Sequence, residues 1–302
     1  MKRVLLTGAS GFIGRQAIPQ LIDLGYEVHG VCRQGGIEPR RGLIVHLADL
    51  LDPEQRVRLV ADVEPQCLLH LAWYVETGKY LHAEVNVDWV KATLDLMTEF
   101  ATRGGKRWVA AGTCAEYRPP PDGLCHETAT PREPSSLYGA SKHAVQEITE
   151  HLAPKLGISA AWARLFLLYG PHEHPARLVP SVIRALLADQ PAQTTHGRQL
   201  RDLLHVADAA RAFCLLVDND YAGPINIASG SAVALRDVVQ MLGEITGHPE
   251  LVAVGALPAR EGEPESLLAD VARLRQLGFA PTYQLFEGLT STVDWWRTPR
   301  SL

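Results

Sequence analysis

Short apolar runs alternate along the first half of the chain with longer stretches in which apolar residues recur every three or four positions. The runs Val4 to Thr7, Glu27 to Cys32, Leu43 to His46, Cys67 to Ala72, Lys106 to Ala111 and Ser159 to Phe166 read as strands. The stretches Phe12 to Leu24, Pro53 to Val63, Ala83 to Thr102 and Leu137 to Leu156 read as helices. In the third of these, Val87, Val90, Leu94 and Met97 form one apolar stripe,. Strands and helices alternating in this way predict βα units on a parallel sheet buried on both faces.

After Phe166 the rhythm changes. A segment containing Pro and His (Tyr169 to Pro180) leads to another helix, a stretch around Thr194 to His205, and a β-like run from Pro224 to Ala228. Helical patterns follow at Leu235 to Thr246, Asp270 to Leu277 and Leu285 to Trp296. The expected division is a sheet domain over residues 1–165, rejoined by segments near 203–228, and a smaller mixed α/β domain over most of 166–302. The smaller domain is expected over the C-terminal edge of the sheet, where ligands bind in open α/β folds. Neither internal repeats nor low-complexity tracts interrupt this plan.

With 302 residues, 46% of them hydrophobic, the chain can bury a full core, so disorder is not the default,. Its 29 basic and 34 acidic residues give a formal charge of -5. That balance argues against nucleic acid or an anionic membrane as partner, and any phosphate site must be local. Five widely spaced cysteines without a CxxC pair speak against a disulfide framework or structural zinc, and so for a reducing cytoplasm,. The N-terminal apolar run reaches glycine too soon for a signal peptide, and no run is long enough to span a bilayer,.

Candidate chemistry begins in Thr7-Gly8-Ala9-Ser10-Gly11-Phe12-Ile13-Gly14, between the first strand and the first helix. Glycines at 8, 11 and 14 permit a tight turn, close approach to a pyrophosphate and helix-on-strand packing, while the helix N-terminus supplies amide donors. The position makes this a dinucleotide loop of Rossmann type rather than an ordinary turn. Ser10, Phe12 and Ile13 share it. An acid at the end of the second strand would accept from the adenosine ribose, but here Val31-Cys32-Arg33 has none,. Arg33 can clamp a 2′-phosphate, which favours NADP over NAD; alternatively it is a solvated loop residue. Asp49, followed by Leu50, is placed to meet the adenine amine, or to cap a helix or turn,.

Tyr138 and Lys142, four residues apart at a helix start, fall on one face, where an ammonium can stabilise a phenolate,. Thr113, after the fifth strand, can hydrogen-bond the phenol or a substrate oxygen. These residues carry a resemblance to the extended short-chain dehydrogenase/reductase family that covers nearly the whole chain. Six segments match in order and separation: Thr7 to Gly14, His70-Leu71-Ala72, Gly112 to Tyr117, Tyr138 to Lys142, Arg164 to Pro171 and Arg201 to Asp208. The resemblance implies a Rossmann-type doubly wound parallel sheet with a smaller mixed α/β substrate domain. It also implies Thr113, Tyr138 and Lys142 as a catalytic triad, and Leu71 and Ala72 on the cofactor side.

The subgroup acting on nucleotide-activated sugars is the nearest likeness, implying a nucleoside-diphosphate sugar as substrate. Arg201 and Arg260 match arginines that grip its diphosphate; a salt bridge is the competing role for each. Asn86 matches a sugar-pocket position and could equally cap a helix. Cys114 and Ala115 stand where the subgroup's dehydratases carry acids. Glu116, one place further on a strand-like segment, is expected to face away from the pocket, which disfavours dehydration. Cys114 is either a thiol acid/base or a small buried residue, and Leu167 replaces a family asparagine. His172, His174, His196 and His205 lack the spacing of metal ligands.

The missing acid at the second strand favours reduction of a 4-keto sugar by NADPH. A 4-epimerase holding NAD tightly is the rival, and a cofactor-binding regulatory protein without turnover is a third reading. The helices near Ala83 to Thr102 and Leu137 to Leu156 resemble those that pair in family dimers, so a homodimer is expected.

Overall fold

The computed structural model describes residues 2–259 and 262–298. In chain order its first elements are β1 (Arg3–Thr7), α1 (Phe12–Asp23), β2 (Glu27–Cys32), β3 (Leu43–Leu47), α2 (Pro53–Val63), β4 (Cys67–His70), α3 (Val85–Thr102) and β5 (Arg107–Thr113). They continue with β6 (Leu124–Cys125), α4 (Leu137–Leu156), β7 (Ser159–Leu165), β8 (Leu167–Tyr169), α5 (Leu178–Leu187), β9 (Ala192–Thr194) and β10 (Leu200–His205). The remainder is α6 (Val206–Val217), β11 (Gly223–Ile227), β12 (Ala232–Ala234), α7 (Leu235–Thr246), β13 (Val252–Val254), β14 (Ser266–Ala269), α8 (Ala272–Gln276) and α9 (Leu285–Arg297).

The chain divides into two compact units. The first comprises Met1–Arg118, Pro131–Leu165 and Ala209–Ile227. Its sheet runs β11-β7-β5-β4-β1-β2-β3 with every neighbouring pair parallel. The order reverses direction between β1 and β4, which makes this a doubly wound Rossmann sheet whose switch point lies at the carboxyl ends of those strands. The core joins sheet residues Leu5, Leu68, Trp108 and Trp162 to Leu96, Met97 and Phe100 of α3 and Val145 of α4. Val90 and Leu94 of the expected stripe are partly buried against this cluster and Met97 is fully buried, but Val87 is exposed.

Local chemistry sets the boundaries. Asp52 caps α2 by accepting from the amides of Glu54 and Gln55, with Pro53 following it at the first turn,. Ser136 caps α4 by accepting from Gly139, and Gly157 in the left-handed conformation ends that helix,. β4 stops at His70, two residues short of the sequence expectation. The amides of Leu71 and Ala72 leave the ladder and donate to Thr7 Oγ1 at 3.1 and 3.2 Å.

The second unit comprises Pro119–Thr130, Phe166–Asp208 and Ala228–Leu302. It contains a mixed sheet, β12-β10-β14-β6 with β8 on β10, in which only β10 and β12 run antiparallel. A separate parallel pair joins β9 and β13. Its core is built where α5, α7 and α9 meet, around Ile183, Leu186, Val238, Leu242, Leu289 and Val293. Two carboxylates fasten its loops. Asp202 accepts from Ser229 and Gly230, and Asp208 from the amides of Thr282 and Tyr283. Among the described residues no helix is long and apolar enough to cross a membrane.

Trp108 of β5 is fully buried against Phe100 and His70. Trp108→Ala is expected to cost about 3–5 kcal/mol of unfolding free energy through lost burial and the cavity left behind. Trp108→Phe should cost less, because it also removes an indole N–H that has no partner in the core,. Urea unfolding of the two variants checks the order.

Candidate active site

The glycine loop follows from crowding. A Cβ on Gly14 would collide with the Gly8 carbonyl oxygen and lie 2.8 Å from the Ala9 Cα, so only glycine lets α1 approach β1 this closely. Gly8 has a φ of +68° and would place a Cβ 2.9 Å from the Ala72 amide,. Gly11 is the N-cap of α1 and supplies no side-chain cap, and no acid stands in the first turn. The amides of Phe12, Ile13 and Gly14 therefore open the helix with the positive end of its dipole unneutralised, a good match for a pyrophosphate. The residues present thus fit a dinucleotide.

Around this loop the candidates differ in availability. Thr7 Oγ1 lies 2.8 Å from His70 Nδ1, tying the ends of β1 and β4 beside Leu71 and Ala72. Ser10 accepts through its carbonyl from Arg15 Nε at 2.7 Å. Arg33 is exposed just past β2. Arg15 reaches the same loop, where a Cβ on Gly36 would lie 3.7 Å from its Nη2. Sequence reading passed over Arg15; its signal was a cation immediately after the third loop glycine. Asp49 is half-buried and its carboxylate accepts from Leu51 N, the turn role foreseen as its alternative, while Leu50 is buried,.

Thr113, Tyr138 and Lys142 all belong to the first unit. Thr113 ends β5, 8% exposed, and hydrogen-bonds the Tyr138 phenol. Its Oγ1 also accepts from Ala115 N at 3.2 Å. Tyr138 stands in the first turn of α4, edge-on to Tyr80 with ring centroids 4.9 Å apart. Burial raises the phenol's pKa, and the Thr113 hydrogen bond works the other way,. Lys142 is 3% exposed, donates to the Ala111 carbonyl at 2.8 Å and lies 3.7 Å from the centre of the Trp73 ring,. Burial brings the ammonium down to about 7, against the opposing pull of Glu116,. Nearby His70, brought to about 3 by burial and then by the Lys142 charge, is neutral.

Glu116 corrects one expectation. It lies in a 3-10 turn, Cys114–Glu116, rather than on a strand, and is fully buried. Its Oε1 accepts from Thr113 N at 2.8 Å and Trp162 Nε1 at 3.0 Å, and Oε2 pairs with Arg164 Nε at 2.6 Å. The carboxylate does turn away from solvent, but it is spent on the scaffold of Thr113.

Asn86 is also corrected. It is fully buried, accepts from Trp73 Nε1 at 2.8 Å and donates to the carbonyls of Tyr80 and Ala83, so it fastens the loop before α3 instead of lining a pocket. Cys114 is half-buried. In the second unit, Arg201 is 3% exposed and paired with Glu263 at 2.7 Å, the salt bridge named as its competing role. Arg260 lies outside the described residues.

Comparison with known proteins matches this geometry to a class. The model of the NAD dependent epimerase/dehydratase family matches residues 4–228. The chain belongs to that family, within the nucleotide-sugar branch of the extended short-chain dehydrogenases/reductases. UDP-glucose 4-epimerase of Corynebacterium glutamicum is 26% identical over 93% of this chain and 91% of its own. dTDP-glucose 4,6-dehydratase of Xanthomonas campestris pv. campestris is 24% identical over 97% and 93%. Among solved structures, MoeE5 in complex with UDP-glucuronic acid and NAD is 31% identical, with a TM-score of 0.84 over 98% of this chain and 99% of that one.

Lys142 gives a linkage prediction. Its folded pKa of about 7 lies below the ordinary 10.5, so between those pH values the unfolded chain binds the extra proton. This group's contribution to stability therefore rises with pH across that window, and its full cost is present below it. Lys142→Met is expected to raise the thermal midpoint at pH 7, and the gain should shrink towards pH 10. Calorimetry of both proteins across that range reads the difference; a destabilised variant at pH 7 would contradict it.

Proposed function

We propose that this protein moves hydride and proton at one carbinol of a nucleoside-diphosphate-linked sugar, with 4-epimerisation as the net reaction. The carrying observation is the state of the two acids beside Thr113. Glu116 is spent on Arg164, Trp162 and the Thr113 amide, leaving no free carboxylate at that position to expel water, while the Tyr138 phenol is bonded to Thr113. Such a site suits oxidation and re-reduction of one carbon better than elimination. The 4-epimerase among the relatives weighs in the same direction.

The residues that would hold the dinucleotide are the Gly8 to Gly14 loop with its helix amides, and Leu71, Ala72 and Lys142. When bound, it supplies the hydride acceptor and donor. Tyr138 takes the hydroxyl proton as the carbonyl forms and returns it afterwards; Thr113 holds the oxygen in line. Lys142, a cation in a dry site, stabilises the phenolate.

A second reading, NADPH-dependent 4-keto reduction, is favoured by the missing acid after β2 and by the two cations, Arg33 and Arg15, beside that loop,. We also propose a homodimer, for which Val87 of α3 and Ile148 of α4 offer exposed apolar side chains.

Purified protein incubated with UDP-glucose should form UDP-galactose and retain NAD through gel filtration. Consumption of added NADPH with a 4-keto-sugar nucleotide, without epimerisation, would replace the first reading with the second. Tyr138→Phe is expected to lower kcat about 10²–10⁴-fold and leave cofactor content unchanged; a fully active variant would overturn both.

A further inference from the structure

The end of β5 is gripped by two opposite charges. Lys142 donates to the carbonyl of Ala111, and Glu116 accepts from the amide of Thr113. Between them Gly112 has no side chain, and a Cβ there would lie 2.7 Å from Glu116 Oε1 and collide with Trp162 Nε1. The glycine thus makes the room that brings a buried carboxylate against the strand end from which both Thr113 and the Lys142 acceptor are presented.

We propose that Glu116 is a positioning residue of the reaction, whose carboxylate both fixes the backbone of Thr113 and keeps Lys142 cationic in a dry site. The proposal rests on the reading that Tyr138 and Lys142 perform the proton transfer. A neutral acceptor could bond the Thr113 amide and the Trp162 indole equally well; the charge of Glu116 serves the buried Arg164 guanidinium and, beside it, Lys142,. A charge matters because Lys142 is almost wholly removed from water, and its own contacts are a carbonyl and the Trp73 and Trp162 rings,. His70 of β4, the titratable neighbour on the far strand, is neutral and lends it no anion.

The surrounding ionisable groups leave Glu116 in that role. Tyr138 stands on the helix of Lys142 itself, and Tyr80 and Cys114 adjoin the phenol. Arg164 of β7 is fully buried, bonds Glu116 through Nε, and directs its other nitrogens to Tyr117 Oη and Gln146 Oε1. Gln146 in turn bonds Glu150 at 2.7 Å. Glu116 is the anion in this set that opposes the desolvation of Lys142.

The test reads Lys142 directly. The chain has six lysines, so protein labelled with [13Cε]lysine gives a short spectrum in which the Lys142 signal is the one lost in Lys142→Arg. Titrations compare the native protein, Glu116→Gln, and Glu116→Gln combined with Arg164→Met, which removes the pair together and leaves no unpaired buried charge. Lys142 is expected to titrate at least about one pH unit lower in Glu116→Gln, and lower by a smaller amount in the double variant, where loss of the Arg164 cation works the other way. The alkaline limb of the kcat profile should shift in parallel, with kcat reduced about tenfold or more and KM little changed. An unchanged Lys142 midpoint in a folded variant overturns the proposal whatever happens to activity. If Glu116→Gln does not fold, the double variant decides. Loss of fold in both would also overturn it, by assigning the carboxylate to stability.

Discussion

The close approach of α1 to β1 is the constraint from which the rest of the first unit follows. Gly14 and Gly8 meet backbone to backbone, with no space for a Cβ between them. This seats the N-terminus of α1 over the carboxyl end of β1, at the point where the strand order reverses,. The same end of β1 is knotted to β4 through Thr7, which accepts from Leu71 and Ala72 and touches His70. An uncapped helix end would ordinarily be a defect. Here the missing side-chain cap, the missing first-turn acid and the switch point coincide, and such a helix end suits an anionic ligand,.

Legibility in the sequence followed the length over which each signal acts. The βα rhythm, the glycine loop and the Tyr138 and Lys142 pair depend on neighbours within one or two turns, and the rhythm placed the parallel sheet correctly. β6, β8, β9, β12 and β13 run two or three residues each, too short for any alternation to emerge,. The 3-10 turn that carries Glu116, expected as a strand-like segment, was missed for a related reason. The turn is closed by a capping box with Thr113, but the carboxylate is held by Arg164 and Trp162, forty-eight and forty-six residues away in sequence,. Likewise the pairing of Arg201 with Glu263 spans sixty-two residues, and no local pattern announces it.

The opposite outcomes for Asn86 and Lys142 show what burial does to a polar residue. Asn86 is neutral and finds partners for its oxygen and its amide nitrogen inside the loop before α3, so burial makes it structural,. Lys142 is charged and is given one carbonyl and two aromatic rings, so burial brings its ammonium down to about 7,. A side chain held in this way costs stability. Such a cost persists where the group's chemistry matters more than its contribution to the fold.

Displacement of one acid along the chain also separates chemistries on a common fold. In Thr113-Cys114-Ala115-Glu116 the first two positions after the threonine carry no acid, and the third is turned by the 3-10 helix onto Arg164, Trp162 and the Thr113 amide. A free carboxylate beside the threonine could take or give a proton to a substrate. Locked to Arg164 and bonded to the Thr113 amide, Glu116 can act only through the residues it holds. One turn of backbone thus converts a group that would transfer protons into one that sets the field in which Tyr138 and Lys142 work, and the fold need not change for the reaction to differ.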